Sequence, residues 1–141
     1  MVWRFVILKN IMKTPKRKIT FLEKVEIEKI ITSIKPEGAR NLRDRALLEV
    51  LFSTGMRISE ALALSKDEMI ILVGELGTSD FPIIGKGGWQ RVIYFSPRAK
   101  DAIRSYLPVC KEEEELLFPI TPRAVQILIK KRAEWAGITK P

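Results

Sequence analysis

The sequence predicts an α+β fold, mainly helical with a small three-stranded antiparallel sheet. Three observations carry this. Apolar residues recur at three- and four-residue spacing over much of the chain, a β-rich stretch from Glu68 to Phe95 is broken by glycine turns, and cap-plus-proline signals reopen helices after it. The chain has 141 residues, 46% of them hydrophobic, which is one domain in size and enough to bury a core.

Taken in order, Trp3, Phe5, Val6, Ile7 and Leu8 are apolar without clean periodicity and read as a short helical remnant. Thr14-Pro15-Lys16-Arg17-Lys18 reads as an extended basic linker, because proline disfavours helix in the residue before it. Thr20 and Glu23 have capping-box spacing, and a helix from Phe21 to Ile34 follows, burying Leu22, Val25, Ile30, Ile31 and Ile34. A second helix runs from Asn41 to Ser53 with Leu42, Ala46, Leu47, Val50 and Leu51 inward and Arg43, Asp44 and Arg45 on the wet side. Gly55 fits the left-handed position that ends a helix, and a short third helix spans Ile58 to Leu64.

Met69 to Val73 is rich in β-formers and is expected as the first strand. Phe81–Ile84 and Trp89–Phe95 form a hairpin around Gly85-Lys86-Gly87-Gly88. Ser96 caps a helix with Pro97 at its first position, and Ala99, Ala102, Ile103, Tyr106 and Leu107 make its core stripe. Glu112–Glu115 is an acidic turn. Thr121-Pro122 launches a last helix through Val125, Leu128, Ile129 and Trp135 to a stop at Gly137.

Lysine and arginine number 25 against 17 acids, a net charge of +8 that is unevenly spread. The first eighteen residues carry Arg4, Lys9, Lys13, Lys16, Arg17 and Lys18 with no acid among them, and the C-terminal part is basic again. Clustered cations suit phosphate-rich partners, although a basic protein kept soluble by its charge has the same composition. One cysteine, Cys110, excludes an internal disulfide framework, and the lack of any histidine leaves no conventional catalytic zinc site. The apolar start is too short to span a bilayer and has no signal-peptide cleavage site, so a cytoplasmic protein without a membrane partner is expected.

Two motifs carry chemistry. Arg57, in Thr54-Gly55-Met56-Arg57-Ile58-Ser59-Glu60, sits at a helix junction from which a planar five-donor cation can reach a phosphodiester. A helix-start arginine paired with Glu60 is the plain alternative. Lys86 lies at a glycine-rich hairpin tip, where an ammonium could protonate a departing oxygen or simply be a polar turn residue.

These strings, in this order, resemble the front half of the catalytic domain of tyrosine recombinases, the phage integrase and Xer-like family. The resemblance implies that Arg57 binds the scissile phosphate, that Glu60 is an accessory acid, and that Lys86 is the general acid. It implies residues 1–19 as the remnant of a preceding domain plus the basic linker, and residues 20–141 as a partial catalytic domain. Duplex DNA is the implied partner, contacted through Lys16, Arg17, Lys18, Arg91, Arg123 and Lys130, the last two being equally readable as a solvated face. Other recombinase protomers or self-association are implied too, and neither a metal nor another cofactor is.

The family next shows a histidine, two residues and a second arginine, then a histidine or tryptophan, then the attacking tyrosine. None of these groups stands in this chain, and Tyr94 and Tyr106 read as core. The expectation is therefore a fragment of a DNA-breaking and rejoining enzyme, inactive alone. A non-catalytic DNA-binding or protein-interaction module on the same scaffold is the alternative, and a functionless remnant a third.

Overall fold

The structure, a computed structural model, describes residues 22–75 and 77–138, with Lys86 through its backbone only. Six α-helices and one hairpin follow in order: α1 (Lys24–Ser33), α2 (Ala39–Thr54), α3 (Ile58–Leu62), α4 (Lys66–Val73), β1 (Asp80–Ile84), β2 (Gln90–Tyr94), α5 (Pro97–Tyr106) and α6 (Pro122–Trp135). The basic linker and the residues before it lie outside the described part, as does Thr20. In the described part, α1 opens with Glu23 as its N-cap, whose N–H donates to Glu26 Oε2 at 2.8 Å.

Helix α2 is the hub. It packs against α1, α3, α5 and β2, and six successive residues, Ala46 to Leu51, are buried. Leu47 and Val50 join the larger core with Met69, Phe95, Ile103, Phe118 and Val125, while Leu48 joins a second cluster with Ile30, Ile31, Ile34 and Leu128. Tyr106 stacks on Phe118 with centroids 5.8 Å apart, and Phe81 meets Phe95 edge-on.

The sheet has two strands, not three. Residues Met69–Val73, expected as a strand, belong to α4. The deciding signal lies just upstream. Ser65 Oγ accepts from the Glu68 N–H at 3.1 Å while Glu68 Oε2 accepts from the Ser65 N–H at 3.2 Å, a reciprocal cap that nucleates a helix before the β-formers begin. Met69 and Leu72 then turn inward at helical spacing and leave Ile70 and Ile71 exposed. In the hairpin, Phe81 pairs with Ile93 and Pro82 with Val92. Ile93 and Phe95 are buried, whereas Val92 and Tyr94 face outward, so Tyr94 is not the core residue expected.

Three other expectations on burial fail for identifiable reasons. Val25 and Trp135 are exposed, both lying to one side of their helices' buried stripes, and Trp135 takes the Arg132 guanidinium over its ring at 5.1 Å. Asp44, expected on the wet side, is 2% exposed. It accepts from Arg43 at 2.7 Å on one oxygen and from Arg132 at 2.9 Å on the other, and Arg132 also donates to Asn41 Oδ1 at 2.7 Å. Glu49, the other buried acid of α2, accepts from Arg98 of α5 at 2.9 Å, and Arg98 also grips both oxygens of Glu28 in α1. Helix α6 stops in a Schellman motif, with the Ile138 N–H on Ala133 O and the Gly137 N–H on Glu134 O.

Removing one partner of a buried ion pair strands the other. Asp44→Ala is expected to lower the unfolding free energy by about 3 kcal/mol in urea denaturation, against about 1 kcal/mol for loss of the α4 cap in Ser65→Ala. Equal costs for the two would show that Asp44 is not the anchor of α6.

Candidate active site

The Arg57 turn is assembled from local chemistry. Gly55 ends α2 in the left-handed region (φ 70°, ψ 16°), and its N–H reaches Leu51 O at 3.1 Å. Thr54 Oγ1 accepts from the Met56 N–H at 3.2 Å, which closes the turn. Met56 is buried and Arg57 is exposed, so the chain anchors itself one residue before the arginine. Arg57 is the extended N-cap of α3. Its N–H donates to Glu60 Oε1 at 2.9 Å, and its guanidinium makes no hydrogen bond to a described residue.

The hairpin reaches the same carboxylate from the other side. Arg91 Nη2 of β2 donates to Glu60 Oε1 at 2.9 Å, so one oxygen accepts from a helix-start amide and from a strand side chain. Glu60 Oε2 is buried without a hydrogen-bond partner among the described residues. Gly85, which opens the tip, lies against this pair. A Cβ placed there would stand 3.3 Å from Arg91 Nη1 and 3.7 Å from Glu60 Oε2. Beyond it, Lys86–Gly88 form a single tight turn in which Gly87 and Gly88 have φ of 83° and 76°, values that other residues adopt only with strain. The backbone that carries Lys86 therefore starts beside the Arg57–Glu60 turn.

Burial of the Glu60 carboxyl works against its ionisation. The Arg57 amide, the Arg91 hydrogen bond and the charges of Arg91 and Arg57 outweigh it and hold the group below its ordinary value of 4.5. A carboxyl lowered in the folded state stabilises fully above its unfolded value and ceases to do so as pH falls through the folded one. Glu60→Gln is expected to be less stable than the parent by about 1 kcal/mol at pH 7, a modest figure because the Arg91 side chain is 42% exposed and screened. Urea unfolding at pH 7 and again at pH 3 checks this, since the gap should close in acid.

The remaining candidates are dispersed. Arg123 and Lys130 are exposed on α6, two helical turns apart and so on one face. Lys16, Arg17 and Lys18 fall outside the described residues. Tyr106 is buried, and burial pushes its hydroxyl well above its ordinary value, which makes it a poor nucleophile. Tyr94 is exposed but stands on the face of β2 opposite Arg91, roughly 13 Å along the strand from Gln90 at the tip. The contact that pattern reading missed is Arg91 with Glu60, 31 residues apart, for which only the inward phase of Arg91 relative to Ile93 gave a sign. Among the described residues no group of three or more acidic, cysteine or histidine side chains could hold a metal ion, and no helix is long and apolar enough to cross a membrane.

Comparison with known proteins gives this arrangement its context. The sequence profile described as the Phage integrase family matches residues 20–141. The chain is 36% identical over 115 residues to tyrosine recombinase XerD of Corynebacterium glutamicum, covering 71% of this chain and 35% of that protein. It is 30% identical over 146 residues to tyrosine recombinase XerC of Bacillus subtilis, covering 94% and 46% respectively. The crystal structure of XerA recombinase superposes with a TM-score of 0.66 at 21% identity, over 88% of this chain and 46% of that one. That of XerH bound to palindromic difH substrate, a post-cleavage complex, gives 0.64 at 23% identity, over 86% and 37%. The chain thus spans less than half the length of each of these relatives. With the profile matched over most of its residues, the chain belongs to the phage integrase family of tyrosine recombinases.

Proposed function

We propose that this chain is the phosphate-binding half of a catalytic domain that breaks and rejoins DNA through a phosphotyrosine link. The observation that carries the reading is the Arg57 guanidinium, exposed, with no hydrogen bond to a described residue, and projecting from a turn whose backbone Glu60 holds. Attack on phosphorus builds negative charge on the non-bridging oxygens. A planar cation bound there stabilises that charge more than it stabilises the ground state.

In this reading Lys86 serves the opposite end of the reaction. As the bond from phosphorus to the sugar oxygen breaks, that oxygen takes a proton from the lysine ammonium, while the new bond forms between phosphorus and a tyrosine oxygen that gives up its own proton to a base or to water. Tyr94 and Tyr106 are unsuited to that attack by place and by burial, so residues 1–141 alone bind DNA without cleaving it. Arg123 and Lys130 extend the phosphate contacts along α6, and the basic linker Lys16-Arg17-Lys18 adds to them. The partners are duplex DNA and other recombinase protomers, and the site of action is cytoplasmic. Residues 20–141 make up the partial catalytic domain and residues 1–19 the end of what precedes it.

Binding dominated by phosphate contacts should be weak, with Kd of about 10⁻⁴–10⁻⁶ M at physiological salt, and should fall steeply as salt rises. In fluorescence titrations with duplex DNA, Arg57→Ala is expected to weaken binding and reduce the salt slope by about one. An unchanged slope would remove Arg57 from the phosphate.

Lys86 is tested by cleavage in a longer protein that supplies the attacking tyrosine. There Lys86→Ala should slow cleavage by about 10²–10⁴-fold on an ordinary substrate. The defect should largely disappear when sulfur replaces the leaving oxygen, because a thiolate departs without a proton. A defect equal on both substrates would assign Lys86 to binding rather than proton transfer.

A further inference from the structure

We infer that Arg91 is a positioning residue, one that latches the Lys86 hairpin to the Arg57 turn through Glu60 instead of contacting DNA. The inference rests on the active-site reading above for its purpose, but on separate observations for its substance.

Four observations point the same way. Arg91 lies on the inward face of β2, in phase with the buried Ile93 and Phe95. Its Nη2 already donates to Glu60 Oε1 at 2.9 Å, and the Glu60 side chain is only 12% exposed, so drawing Arg91 away to a phosphate would cost that carboxylate its ion-pair partner. The accepting oxygen is the one that holds the Arg57 N–H, which makes a single atom the hinge point between helix start and hairpin. Finally, the hairpin enters its tip at Gly85, where a Cβ would press on Arg91 Nη1 at 3.3 Å, although φ there is −87° and demands no glycine. The glycine lets the ion pair lie directly against the backbone of the tip.

A two-stranded hairpin on its own is marginal in water. Of its inward residues Phe81, Ile93 and Phe95 lie toward the end far from the tip, and the inward pair nearest the tip is Ile83 opposite Arg91, of which Arg91 reaches the Arg57 turn through Glu60. The latch therefore governs where the tip rests. It fixes the distance between the phosphate-binding arginine and the backbone that carries the proton donor, which is the geometry a two-ended phosphoryl transfer requires.

The test uses the 141-residue chain and two readouts. Hydrogen exchange should show Arg91→Gln opening the hairpin amides, including the Gly85 N–H that bonds Trp89 O, roughly tenfold faster while α2 and α5 stay protected. Arg91→Lys, which keeps the charge, should recover most of that protection. Glu60→Gln should loosen the same amides, and combining it with Arg91→Gln should add little, as expected for two members of one contact. In DNA titrations the salt slope of Arg91→Gln should match the parent's. A slope lowered by about one with hairpin exchange unchanged would make Arg91 a phosphate contact and overturn the latch. So would additive effects of the two Gln substitutions. If the parent chain bound no DNA, the active-site reading would fail while the exchange data still decided the latch.

Discussion

Two carboxylates inside a buried helix set the terms for the rest of this structure. Helix α2 is enclosed over six successive residues and carries Asp44 and Glu49 into that enclosure. An ionised carboxylate without partners cannot be held there at tolerable cost, so each acid requires a guanidinium from elsewhere in the chain. Asp44 draws Arg132 from α6, and Glu49 draws Arg98 from α5. Hydrophobic packing would tolerate some sliding of α5 and α6 over α2. The forked hydrogen bonds do not, and they fix which turn of each helix lies against which.

Because α2 is fixed, so is its end. Gly55 reverses the chain, Met56 anchors it, and Arg57 emerges at a defined point between two helices. That sequence of steps needs nothing distant. The hairpin is different, since its tip reaches the Arg57 turn only through a contact between residues far apart in the chain. Glu60 joins the two regimes by accepting from both on one oxygen. In the proposed reaction, donors set in place before substrate arrives would avoid reorganisation, and this carboxylate is where the turn and the hairpin meet.

The local parts were legible in the sequence. Gly55 as a left-handed stop, the Ser96-Pro97 and Thr121-Pro122 starts and the glycine-rich tip each depend on a few adjacent residues, and each formed where expected. The misread strand at Met69–Val73 shows how propensity loses to capping. Five apolar residues in a row have no periodicity of their own, and Ser65 with Glu68 decided the matter. Asp44 was misread because a polar residue beside two arginines resembles a wet helix start, and its burial needs, besides the adjacent Arg43, the arrival of Arg132 from 88 positions away. The Arg91–Glu60 contact was hidden for the same reason. Only the inward phase of Arg91 relative to Ile93 hints at it, and that does not name Glu60 as the partner.

The sheet's reduction to two strands leaves the outer rim of β1 without a backbone partner among the described residues. An open rim of this kind invites a strand from another molecule, and unchecked it leads to chain-to-chain polymerisation. The pairing register shows how this one is closed. Gly85 and Trp89 form a hydrogen-bonded pair, as do Ser79 and Phe95 at the other end, so Asp80, Pro82 and Ile84 direct their backbone nitrogens away from β2. The central of those three is proline, which has no hydrogen to offer. An incoming strand would meet a missing donor in the middle of a five-residue rim, too short a ladder to hold with a gap in it. Pro82 thus guards the β1 rim by withholding a donor rather than by occupying space.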